Sequence, residues 1–211
     1  MKIYLFDFDG TLVDSMPTFA SVMLRILDEN GVKYPDDIIK IITPLGYQGT
    51  AKYFREVLGL KFDDAKSLER MLEYMKDAYL NTIPAKRGVI ETLLELKARG
   101  CSLNVLTASP HDVLDPCLKR LGIYSLFDNV WSCDDFKTTK ADPEIYRMAA
   151  EKIGVPVFDV TFLDDNLGAD KTAKSAGMKV IGVFDESSRE CIDEMKSLCD
   201  GYVYNFNELL D

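Results

Sequence analysis

Near the start of the chain, Phe6-Asp7-Phe8-Asp9-Gly10-Thr11 places two carboxylates two residues apart at the end of an apolar run. Ile3–Phe6 reads as a short buried strand, so both acids emerge at its carboxyl end. Strand side chains alternate faces, so Asp7 and Asp9 meet in one site only if the chain bends sharply. Gly10 supplies the freedom to bend. Two carboxylates brought together repel unless a divalent cation lies between them. A second pair, Asp164-Asp165, ends the hydrophobic run at 160–163. Paired acids delivered by a buried strand are hard oxygen ligands of the kind Mg²⁺ takes. These residue types and spacings suit a metal-dependent nucleophile site.

Such acids need a scaffold, and strand-like runs recur at 3–6, 102–106, 130–132, 160–163, 179–183 and 202–204. Several are nearly continuous apolar segments, as expected for strands covered on both faces. Helical stretches lie between them. Val89, Leu93, Leu94 and Leu96 recur at roughly helical spacing before Arg99-Gly100, a glycine terminator. Asp142-Pro143-Glu144 opens another helix with a cap and a proline at its first turn, and Gly154 closes it. The alternation predicts a parallel sheet with crossover helices, an α/β fold. Residues from about 17 to 85 break it, with helical patterns at 18–29, 50–58 and 63–80 and no convincing strand. That length exceeds a usual crossover and reads as an inserted helical subdomain.

The 211 residues suit one large domain or a domain with an appendage, and 47% apolar against 28% charged residues provide core material. No apolar stretch approaches the roughly 18 residues of a membrane span. Met-Lys-Ile-Tyr-Leu-Phe-Asp turns acidic too soon for a signal peptide, so a cytoplasmic protein is expected. The five cysteines form no Cys-x-x-Cys pair, and His111 is the single histidine, so free thiols are expected rather than a zinc site. The net charge of −10 disfavours nucleic acid polymers and anionic membranes as partners.

Asp7-Phe8-Asp9-Gly10-Thr11-Leu12-Val13-Asp14-Ser15 resembles the first signature of the haloacid dehalogenase-like hydrolases. Three later stretches resemble the family's other motifs in order, so the resemblance covers the whole chain. Thr107-Ala108-Ser109 resembles the second, with Thr107 and Ala108 at the substrate phosphate and Ser109 read as a helix cap before Pro110. Lys140, ahead of Asp142-Pro143-Glu144-Ile145-Tyr146, resembles the family's lysine, with Lys137 a weaker competitor. Asp164-Asp165-Asn166 resembles the fourth. Asp170 matches the family's downstream acid only loosely, because Ala169 occupies the expected place, and it is left out of the site.

The resemblance implies a Rossmann-like parallel sheet core, residues 1–15 and 85–211, with an α-helical cap, residues 16–84, that moves over the active site. It implies a Mg²⁺-dependent phosphatase acting on a small phosphorylated metabolite, as a monomer or homodimer. Asp7 attacks phosphorus to form an aspartyl-phosphate, and Asp9 serves as acid and then base. Lys140 neutralises charge on the nucleophile and the phosphoryl group. Mg²⁺ is held by Asp7, the backbone carbonyl of Asp9 and Asp165, with Asp164 second.

Other chemistries of the family fit less well. Dehalogenation needs neither a metal nor the second acid, and phosphonate hydrolysis typically replaces the acid that stands here as Asp9. A phosphohexomutase of the β-phosphoglucomutase type shares the core but carries a hinge histidine where Phe19 stands. It also has a basic cap loop, whereas residues 44–50 here contain no base. A non-catalytic binding protein would be expected to lose one of Asp7, Asp9, Thr107, Lys140 and Asp165. In the cap, Tyr47, Gln48, Lys52 and Arg55 are the substrate-facing candidates.

Overall fold

The computed structural model describes residues 1–42 and 45–210, apart from the side chains at positions 40, 46 and 47. Pro44 and the Tyr47 side chain, both in the cap loop read from the sequence, lie outside the described residues. Two compact units emerge, Met1–Asp14 with Pro84–Asp211, and Ser15–Ile83.

In the larger unit, six parallel strands form one sheet in the order β3-β2-β1-β4-β5-β6. They are β1 (Ile3–Phe6), β2 (Ser102–Thr107), β3 (Asn129–Ser132), β4 (Val160–Asp164), β5 (Lys179–Val183) and β6 (Gly201–Val203). Every residue of β1 is buried, as a central strand covered on both faces requires. The chain runs out from β1 through β2 to β3, then returns to pair β4 on the other side of β1. The crevice at the carboxyl ends of β1 and β4 is therefore the topological switch point, where open α/β sheets bind ligands. Phe6 pairs with Leu163, so Asp7 and Asp164 leave the sheet side by side.

Two strands run further than their apolar patterns suggest. β2 includes Thr107 and β4 includes Asp164. Both are nearly inaccessible, at 1%, because ladder pairing continues past the last apolar residue (Thr107 with Ser132, Asp164 with Gly182). β6 begins one residue earlier than the 202–204 run, at Gly201.

Helices of this unit include α5 (Val89–Ala98), α6 (His111–Arg120), α7 (Glu144–Ile153), α8 (Leu167–Ala176) and α9 (Ile192–Leu198). Beneath the end of β4, the Tyr146 and Phe162 rings meet edge-on at 5.0 Å, both fully buried. Truncating either aromatic to alanine would cost about 3–5 kcal/mol. Phe162 shares a sheet face with Asp164, so this packing forms the floor under the acids.

The smaller unit is helical: α1 (Met16–Glu29), α2 (Ile38–Ile42), α3 (Gly46–Glu56) and α4 (Asp64–Asn81). α2 carries no signal in the sequence periodicity, its five residues being too short for one. α4 is the organising element, packing on both α1 and α3. It is capped by the Asp63 carboxylate, which accepts from the Lys66 amide at 2.7 Å. Its Tyr74 donates to Glu29, and the Arg25 and Arg70 guanidiniums lie 4.0 and 4.6 Å from its ring. No helix among the described residues is long and apolar enough to cross a membrane.

Candidate active site

The bend required after β1 is present. Gly10 has φ +75°, in the left-handed region that favours glycine. The turn closes through Leu12 and Val13 amides donating to the Phe8 carbonyl at 2.9 and 3.0 Å. Close approach also demands glycine here: a Cβ at position 10 would fall 2.4 Å from Asp165 Oδ2. The Thr11 hydroxyl completes the contact, donating to Asp165 Oδ1 at 2.9 Å.

Asp7, Asp164 and Asp165 form the cluster, with one carboxylate oxygen of each within 4.8 Å of the others. All three are buried, at 6%, 1% and 6% exposure. Asp9 is placed differently from the simplest reading of the motif. Its carboxylate accepts a hydrogen bond from Ser109 Oγ at 2.5 Å rather than joining the side-chain cluster. The turn at Gly10 sends the two side chains of the motif to different partners.

Lys140 sits between two of these acids, donating to Asp7 Oδ1 and, at 2.8 Å, to Asp164 Oδ2. Its carbonyl accepts from the Tyr146 hydroxyl at 3.2 Å, which also donates to Ala169 O. The Pro-Glu-Ile-Tyr helix start thus anchors the lysine through a buried phenol. Asp164 Oδ1 accepts from the Asn166 amide at 2.7 Å, and the Asn166 side chain caps α8 at the Gly168 and Ala169 amides. Lys137 is exposed and has a left-handed backbone after a short turn.

The electrostatics follow from three clustered carboxylates, two of which share the Lys140 ammonium. Burial, then the charges of Asp164 and Asp9, push Asp7 up to about 7 against the pull of Lys140. Burial, followed by Asp164 and Asp7 and more weakly by Asp185, raises Asp165 well above the carboxylate range, while the Thr11 hydroxyl opposes the rise. For Lys140, burial favours the neutral amine, but the two adjacent carboxylates outweigh it and hold the ammonium charged. A buried, all-oxygen set with excess negative charge fits a hard divalent cation such as Mg²⁺.

Around β2, the position of one of two hydroxyls differs from the sequence expectation. Thr107 Oγ1 accepts from the Ser109 amide at 3.1 Å, so its hydroxyl hydrogen is left to donate elsewhere. Ala108 is exposed at the strand end. Ser109 is not the cap of α6: Pro110 holds that position without a side-chain cap bond. Its hydroxyl lies on Asp9 instead, a pairing across 100 residues that no local pattern announces. Asp170 stands outside the cluster. It is fully buried, its Oδ2 accepts from Cys199 Sγ at 3.4 Å, and its Oδ1 has no hydrogen-bond partner among the described residues.

In the helical unit, Arg55 is engaged with Asp64, at 2.6 and 3.1 Å, and with Glu56. This exposed ion pair between α3 and α4 accounts for Arg55 without a substrate. Gln48 and Lys52 are exposed. The five cysteines are free thiols, three of them buried.

The haloacid dehalogenase-like hydrolase family matches residues 4–183. The chain is 33% identical to Pyrophosphatase PpaX of Bacillus velezensis over 181 residues, 85% of this chain and 81% of that protein. It is 28% identical to the Phosphorylated carbohydrates phosphatase of Thermotoga maritima over 181 residues, 86% and 84% of the two chains. Among solved structures, a candidate β-phosphoglucomutase from Thermotoga maritima superposes with a TM-score of 0.86 at 26% identity, covering 100% of this chain and 97% of the other. The chain belongs to the haloacid dehalogenase-like hydrolases, in their phosphatase branch.

Proposed function

We propose that this protein is a Mg²⁺-dependent phosphomonoester hydrolase that works through an aspartyl-phosphate on Asp7. One observation carries the reading: Lys140 joins Asp7 to Asp164 beside Asp165, in a buried acid cluster at the sheet's switch point. Asp7, Asp164 and Asp165 would hold Mg²⁺, with the Asp9 carbonyl as the family resemblance implies. When bound, Mg²⁺ supplies charge neutralisation among these carboxylates and on the transferring phosphoryl group.

The chain's own residues divide the remaining work. Lys140 orients the Asp7 carboxylate and favours its ionised form, the form that attacks phosphorus. As the Asp7–phosphorus bond forms, the ester P–O bond breaks and Asp9 gives its proton to the leaving oxygen. Asp9 then takes a proton from water, whose oxygen attacks phosphorus, releases inorganic phosphate and regenerates Asp7. Ser109 holds the Asp9 carboxylate in place for both transfers. Thr107 and the Ala108 amide donate to phosphoryl oxygens, and Lys140 offsets the charge that accumulates there. The substrate class is a small phosphorylated metabolite, the protein acting in the cytoplasm as a monomer or homodimer. Residues 16–84 serve as the cap.

Phosphate release from a panel of sugar phosphates, phosphoglycolate, nucleoside monophosphates and inorganic pyrophosphate tests this directly. Release that needs Mg²⁺ and is lost in Asp7→Asn supports the proposal. Release that survives chelation contradicts it.

A further inference from the structure

Lys86, in the segment that enters the larger unit after Ile83, is not a surface lysine. Its ammonium donates to three oxygens: the Gly10 carbonyl at 2.5 Å, the Phe184 carbonyl at 2.6 Å and Asp185 Oδ2 at 2.9 Å. Every N–H is used. The pair is secluded, with side-chain exposures of 17% and 5%. Asp185 is itself fixed, its Oδ1 accepting from the Ser187 amide at 2.9 Å and the Ser187 hydroxyl at 2.6 Å. The Lys86 amide adds a bond to the Leu12 carbonyl at 3.0 Å. One residue therefore ties the turn after β1 to the end of β5 through both backbone and side chain.

The location of that turn gives the clamp its consequence. The carbonyl that Lys86 grips belongs to the Gly10–Thr11 peptide. On one side of that peptide, the Gly10 Cα packs so closely on the Asp165 carboxylate that no Cβ fits. On the other, Thr11 Oγ1 donates to Asp165 Oδ1. The peptide before it carries the Asp9 carbonyl. We propose that Lys86 and Asp185 are positioning residues that hold the Gly10–Thr11 peptide against Asp165 and so set the geometry of the metal-binding carboxylates. The proposal rests on the phosphatase reading of the site. Neither residue touches the reacting groups. Both act through the turn, as groups that orient metal ligands do.

Calorimetric titration with Mg²⁺ alone, beside thermal unfolding in chelator, tests this on wild type, Lys86→Met and Asp185→Asn. Removing an orienting partner of a metal ligand typically weakens binding by about 10–100-fold. Lys86→Met is expected to fold, to bind Mg²⁺ at least roughly tenfold more weakly, and to keep its KM at saturating Mg²⁺. A folded Lys86→Met with wild-type Mg²⁺ affinity overturns the proposal, because a merely structural lysine would lower only the unfolding temperature. Should Lys86→Met not fold, Asp185→Asn, which keeps the Ser187 acceptor and the side-chain volume, decides it. Weaker Mg²⁺ binding supports the clamp, and unchanged binding overturns it. Wild type that binds no Mg²⁺ removes the underlying site reading, and the clamp falls with it.

Discussion

Ser109 Oγ lies 2.5 Å from Asp9 Oδ2, joining the end of β2 to the turn after β1. The bond fixes the Asp9 carboxylate and gives the Ser109 hydroxyl a partner other than the α6 N-terminus. A hydrogen bond to a charged group contributes about 1.5–3 kcal/mol. Ser109→Ala is therefore expected to lower kcat by roughly tenfold or more, with KM little changed. Steady-state kinetics at saturating Mg²⁺ checks the split, and a loss confined to KM would place Ser109 on the substrate instead.

Lys140 is an ammonium shared by Asp7 and Asp164. Removing one partner of a buried pair typically costs about 3–5 kcal/mol, because the remaining charge is left uncompensated. Lys140→Met should lose activity and unfold at lower temperature in chelator at neutral pH. The penalty should shrink in mild acid, where Asp7 takes up a proton, and Mg²⁺ should restore part of the stability. Differential scanning fluorimetry across pH, with and without Mg²⁺, measures all three.

Gly10 meets two constraints at once, a positive φ and van der Waals contact with Asp165. Gly10→Ala must move either the turn or the carboxylate. Displacement of about 1 Å in a catalytic constellation can cost roughly a hundredfold in rate. We expect that loss together with weakened Mg²⁺ binding, read by kinetics and by calorimetry on the same preparation.

Asp170 offers a pH prediction of definite sign. Burial first, and the charge of Asp164 second, push its carboxyl up to about 8. A carboxyl that binds its proton more tightly when folded stabilises the fold fully below about pH 4. That contribution is lost as pH rises through about 8. Asp170→Asn removes the dependence, so its melting temperature should fall less than that of wild type between about pH 6 and pH 9. An identical fall in both proteins would mean that Asp170 ionises without strain.

Much of this was legible in the sequence because it is local. The run at Ile3–Phe6, the glycine that turns the chain and the acids ending β4 each carry their signal within a few residues. Strand identity followed from apolar continuity, and the helical insertion from the missing alternation. What escaped was long-range or short. Ser109 reaching Asp9, Lys86 reaching Gly10 and Asp185, and Arg55 reaching Asp64 join residues that only the fold brings together. The apolar patterns stop short of the strand ends at Thr107 and Asp164 because polar residues there are satisfied by the ladder and the site, which hydropathy cannot register. Five-residue α2 is too brief to show a period.

Phosphorylation of Asp7 during turnover is the step on which the proposed mechanism turns. Acid-quenched single-turnover reactions with a radiolabelled phosphomonoester, followed by peptide mapping, test it most directly. Hydroxylamine-labile label is expected on the peptide bearing Asp7, absent in chelator and absent in Asp7→Asn. Turnover without any trapped label, or label that persists in Asp7→Asn, would contradict it.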